Sequence, residues 1–236
     1  MNKHITSVVL SSILCISSLG VAQTHSANLT RNVACATQKH LAEVNVTLDW
    51  AREIKMEDVM VRPARGGARK SNVVLNKQTK QTTCKGILTH KGQVVIPTVC
   101  TDQGDWQLTK LTLVFANGKK GVGPAETLRI KDEVAYIKVN VELTKGLIGL
   151  PTLTTPKGKS LEEHFGHSIL NTLSSFFRSK GVVISKRYLR PGKVHYADST
   201  LQVGDGVLYQ GKLVALVKKD VHHLRSISES PLAILR

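Results

Sequence analysis

Cys84 and Cys100 stand sixteen positions apart in "CKGILTHKGQVVIPTVC" and enclose two apolar runs, "GIL" and "VVIP", joined by "THKG". A β-hairpin closed by a disulfide fits that pattern, with two buried thiols as the alternative. Cross-linking so short a loop is worth roughly 3 kcal/mol. A second chemical group is "EEHFGH", which holds Glu162, Glu163, His164 and His167, while "VHH" adds His222 and His223. On one helix His164 and His167 would share a face and could ligate zinc. No second pair follows at metal-site spacing, so neither a metal nor a cofactor is expected. Glu162 and Glu163 suit the positive end of a solvated helix instead. The third group is basic: Arg62 to Lys70, Lys119 and Lys120, Lys186 to Arg190, Lys218 and Lys219. Within it Arg65, Arg69, Lys70, Lys186, Arg187 and Arg190 are the candidates for an anion-binding face.

The N-terminus sets the compartment in which these groups work. "MNKHITSVVLSSILCISSLGVA" has one early cation, Lys3, then an apolar run, then small residues ending at Ala22. Residues 1–22 therefore read as a secretory signal peptide. No second long apolar run follows, so no transmembrane segment is expected after cleavage, and the protein is expected to be secreted or periplasmic. Export favours the disulfide reading. It also leaves Cys35 without an intramolecular partner, because Cys15 departs with the signal. Asn28 and Asn45 lie in N-x-T sequons.

The formal charge of +16 points to a protein or polyanionic partner. Aromatics make up only 4% of the chain and do not alternate with the cations, so a dedicated nucleic-acid surface is not expected.

The positioning elements are mostly strands. Residues 23–70 read as a leader, with weak helical periodicity from Leu41 to Ile54 and a Gly/Arg-rich hinge from Arg62 to Lys70. From Val73 onward come short apolar or alternating runs such as "NVVLN", "QVVIPT", "LTKLTLVFANGKK" and "ETLRIKDEVAYIKVNVEL". "ANGK" and "YQGK" mark hairpin turns. This spacing predicts an all-β barrel or sandwich. One segment, "SLEEHFGHSILNTLSSFFRSKG", has Phe165, Ile169, Leu173 and Phe176 or Phe177 at helical spacing, which predicts one amphipathic helix near 161–180.

Four of these stretches, in order, resemble the trypsin-like, chymotrypsin-fold serine proteases. "CKGILTHKGQVVIPTVC" resembles the block that carries the catalytic histidine, and "DEVAYIKV" resembles the strand that starts with the catalytic aspartate. "GLIGLP" resembles the interdomain stretch, and "GVLYQGKLVALV" resembles the hairpin after the nucleophile loop. The resemblance implies two packed antiparallel six-stranded β-barrels, about 71–145 and 152–225, inside a domain spanning 71–236.

It also implies a degenerate site. The histidine position is Val99, and the carboxylate position is Glu133, with Asp132 one register away. Without a gap, the nucleophile position is Val203, flanked by Leu201 and Gln202. With a four-residue insertion, Asp198 and Ser199 take the Asp-Ser positions instead. Acyl transfer needs a serine, a base to take its proton and a carboxylate to orient the base. Valine cannot accept a proton, and His90, at the hairpin turn, is nine residues from the histidine position. The resemblance therefore implies a pseudoprotease that works by binding. The alternative is a divergent endopeptidase that uses Ser199 with a histidine from elsewhere, such as His195.

Overall fold

The computed structural model describes residues 42–55, 75–185, 199–227 and 231–236. It is mostly β. Strands β1 (Glu43–Lys55), β2 (Leu75–Leu88), β3 (Gln93–Pro97), β4 (Gln107–Phe115), β5 (Lys120–Pro124), β6 (Leu128–Lys131) and β7 (Val134–Lys138) form one antiparallel sheet. Its order is β5-β4-β1-β2-β3-β7-β6. The two marginal strands, β5 and β6, are joined by the single turn Ala125–Thr127. Margins tied so closely cannot lie at opposite ends of a flat sheet, so the sheet curls. Its inner face carries Val44, Val46, Leu48, Trp50, Leu88, Val94, Ile96, Leu111, Leu113, Ala135 and Ile137.

β1 corrects the helical reading of residues 41–54. Val44, Val46, Leu48 and Trp50 are buried and Asn45 between them is exposed, which is a period of two and hence a strand. β1 lies within the stretch read as a leader, yet it pairs with β2 from Glu43↔Ile87 to Lys55↔Leu75. On its other side it pairs with β4, with a bulge at Asp49/Trp50. Glu43–Lys55 therefore belongs to the sheet.

Among the described residues the second half carries five short strands. After a short helix, α1 (Val141–Thr144), come α2 (Leu161–Phe165), α3 (Ser168–Ser179) and β8 (Val183–Ile184). They are followed by β9 (Gly206–Tyr209), β10 (Lys212–Val217), β11 (His223–Leu224) and β12 (Leu232–Ile234). Among the described residues these strands form a three-stranded sheet, β12-β10-β9, and a parallel pair, β11-β8. Ile169, Leu173 and Phe177 of helix α3 share a core with Val207, Val214 and Ala215.

The predicted helix breaks at Gly166, whose φ of +72° stops α2. The break separates His164 from His167, whose Nδ1 lies 2.8 Å from Glu162 Oε1. Ser160 caps α2 reciprocally with Glu163, at 3.1 and 2.6 Å. Those bonds, with the nearby Lys159, hold the Glu163 carboxyl below its ordinary value. The "YQGK" turn is as expected, with Gln210 and Gly211 both at positive φ between β9 and β10.

The halves meet on the outer face of the curled sheet. Ile87, Val95 and Val134 pack there against Leu150, Leu213, Leu216, Ala233 and Leu235. Residues 150–155 run between them, with Leu153 N–H bonded to Leu213 O at 2.9 Å and Thr155 N–H to Leu235 O at 2.8 Å.

Candidate functional site

Pro97 ends β3, and a one-turn 3-10 helix, Thr98–Cys100, turns the chain outward. The turn is pinned at three points. Thr98 N–H donates to Glu133 O at 2.9 Å, Thr101 N–H donates to Thr98 O at 2.8 Å, and the Cys84–Cys100 disulfide ties it to β2 with its Cα atoms 6.2 Å apart. So held, Val99 stays 48% exposed despite its apolar side chain. It opens onto a cleft of about 670 Å³ whose walls include Asn45, Thr83, Lys85, Gln103, Gln202, Val203 and Asp220.

Val203 reaches the cleft on the loop before β9. Gly204, at φ +90°, sits so close to β2 that a Cβ would lie 1.9 Å from the Lys85 carbonyl oxygen. Only glycine fits both the dihedral and the contact. Next to it, Asp205 is 1% exposed and ion-pairs with Lys85 at 2.9 Å and Lys180 at 3.1 Å. Its carboxylate also accepts from Gln202 N–H at 3.1 Å. Burial alone pushes this carboxyl up, but the bonds from Lys85, Gln202 and Lys180, with the Lys180 charge, outweigh it and hold the group below 3.8. One buried acid thus joins β2, the end of α3 and the cleft loop.

The structure therefore brings Val99 and Val203 to one cleft. Glu133 is not among its walls. Its backbone is next to Thr98, but its carboxylate ion-pairs with Lys218. Asp132, at φ +53°, lies 4.0 Å from Lys157. Ser199 is spent on backbone: Oγ donates to Lys180 O and accepts from Leu201 N–H, each at 3.2 Å. Leu201 is buried in the second core. His90 is exposed on the β2–β3 turn, where its N–H donates to Leu150 O. Among the described residues no group of three or more His, Cys, Asp and Glu could hold a metal ion, and no helix is long and apolar enough to cross a membrane. Arg65, Arg69, Lys70, Lys186, Arg187, Arg190, His195, Asp198, Cys35 and Asn28 lie outside the described residues. Asn45 is exposed at the cleft.

Two features escaped the sequence. Ser185 Oγ hydrogen-bonds His223 Nε2 across the parallel β8–β11 pair. Neither residue lines the Val99 cleft. The second feature is a groove, also about 670 Å³, on the outer face of β3, β7 and β6, closed by Thr152, Thr154 and the C-terminal Leu235 and Arg236. Lys91, Arg129, Lys131, Lys138 and Arg236 line it, against one carboxylate, Glu126. The period of two in "LRIKDEVAYIKV" hints at it, since Arg129 and Lys131 share a strand face, as do Tyr136 and Lys138.

No family model matches the chain, and no curated protein matches it. Two solved structures to which it is similar are an HtrA-type protease, AlgW, with a decapeptide, and a serine-to-alanine form of that protease, also with a decapeptide. The first gives 10% identity and a TM-score of 0.30, over 52% of this chain and 36% of that one. The second gives 11% and 0.35, over 55% of this chain and 37% of that one. The chain spans little more than a third of the length of either.

Proposed function

We propose that this chain is an exported, catalytically inactive homologue of the trypsin-like proteases that acts by binding anionic ligands or acidic protein surfaces. The observation that carries the reading is the cleft in which Val99 and Val203 meet. Those are the positions where the resemblance puts the base and the nucleophile. Two isopropyl groups can neither take nor give a proton, so acyl transfer has no agent there. The alternative reading, peptide-bond hydrolysis by Ser199, loses support from the hydroxyl's two backbone bonds, and among the described residues no side chain accepts its proton. On the same reading each half is a derivative of a six-stranded barrel. Export is supported by the apolar N-terminal run and by the Cys84–Cys100 disulfide.

The test is incubation of the chain from Gln23 onward with an unfolded protein substrate, followed by mass spectrometry, alongside retention on a polyanion matrix at low and high salt. Intact substrate with salt-sensitive retention is expected. Discrete cleavage products that vanish in Ser199→Ala would overturn the reading.

A further inference from the structure

The basic groove on the outer face of the curled sheet carries the anion-binding reading to a specific place. Arg129 of β6 sits directly across from Tyr136 of β7, and Lys138 of β7 sits across from Gln93 of β3. Neighbouring strands thus aim two cations at one concavity, and Lys131 and Lys91 add two more. Among the described residues none of these four lies within ion-pair distance of a carboxylate, and Glu126 is the one carboxylate side chain in the groove wall.

The groove continues past Lys131, Thr154 and Arg236 into a recess of about 500 Å³ that Thr155, His164 and Lys157 also line, together with one carboxylate, Asp132, which lies 4.0 Å from Lys157. Thr155 is 1% exposed, and among the described residues its hydroxyl has no hydrogen-bond partner. A buried hydroxyl without a partner costs stability, and a ligand acceptor in the recess would supply one. The surface between the cations is not purely polar: the half-buried Tyr136 ring and the aliphatic stems of the cations form part of it. A bare phosphate polymer has nothing to place on those groups, and a nucleic acid would need more than one aromatic to stack on. A peptide whose carboxylates alternate with apolar side chains satisfies both parts at once.

We infer that the groove from Lys91 through Arg129, Lys131 and Lys138 to Thr155 and Arg236 binds an extended acidic peptide segment of a partner protein. The inference rests on the anion-binding reading above.

The test measures anisotropy of a fluorescein-labelled octapeptide of alternating glutamate and leucine. It compares the wild-type chain with two variants of equal net charge: Arg129→Gln/Lys131→Gln/Lys138→Gln in the groove, and Lys77→Gln/Lys110→Gln/Lys212→Gln outside it. The groove variant should lose about tenfold or more in affinity, and the outer one less than about twofold. Thr155→Val keeps the shape and removes only the unpaired hydroxyl. It should weaken binding several-fold without lowering the melting temperature, a split that a structural role would not give. Equal loss in both charge variants would overturn the site while leaving anion binding intact. Tighter binding of polyphosphate than of the peptide would overturn the ligand class. Binding of neither probe would overturn the anion-binding reading itself.

Discussion

Asp205 is the residue on which the cleft's shape depends most. It has two lysine partners and a backbone donor, and it is almost wholly out of water. Removing it in Asp205→Ala leaves Lys85 and Lys180 facing each other uncompensated, which should cost about 3 kcal/mol in urea unfolding. Because its folded pKa lies below the ordinary 3.8, the ionised form favours the fold. That stabilisation is fully present above the unfolded value and fades as pH falls below 3.8 and through the folded value. The stability gap between wild type and Asp205→Asn should therefore be constant near neutrality and narrow only in that acid range. A gap that instead narrowed between pH 5 and 7 would assign the linkage to another group. Gly204 is as restrictive: Gly204→Ala should cost about 2 kcal/mol or more, read by the same melts, because its Cβ meets the Lys85 carbonyl.

At the scale of elements, the Cys84–Cys100 bridge holds the turn that presents Val99. Replacing both cysteines by serine should lower stability by about 3 kcal/mol, seen as a shift of the denaturant midpoint that reducing agent reproduces in wild type. Helix α3 buries Phe177 completely in the second core, so Phe177→Ala should cost about 3–5 kcal/mol in the same assay. Its core spacing was legible in the sequence, because Ile169, Leu173 and Phe177 recur every four residues. The break before it was not, since Gly166 could equally have been tolerated inside a helix. β1 was misread because apolar Ala42 and Ala51 and charged Glu43 and Glu53 blur its ends. The strict alternation from Val44 to Trp50 carried the true period.

At the scale of the whole molecule, two concavities divide the surface by chemistry. The Val99 cleft is walled largely by amides, hydroxyls and a disulfide, and its Lys85 is already engaged by Asp205. Among the described residues, Lys91, Arg129, Lys131 and Lys138 in the outer groove lie beyond ion-pair distance of any carboxylate. Only the first could be anticipated, because a resemblance in chain order places Val99 and Val203 together, whereas strand pairing alone assembles Gln93, Lys138, Tyr136 and Arg129. Asp205 was equally hidden, since an aspartate between two glycines reads as a turn. Across the molecule, binding of the acidic octapeptide should weaken steeply with added salt, as expected for exposed cations within a Debye length of one another.

On the proposed reading this chain binds and does not cleave. Labelling the chain from Gln23 onward with a fluorophosphonate probe, before and after limited tryptic cleavage of the Arg62–Lys70 stretch, tests it most directly. The account predicts no labelled serine in either state. A label that survives Ser185→Ala but is abolished by Ser199→Ala, or the reverse, would identify a working nucleophile and contradict it.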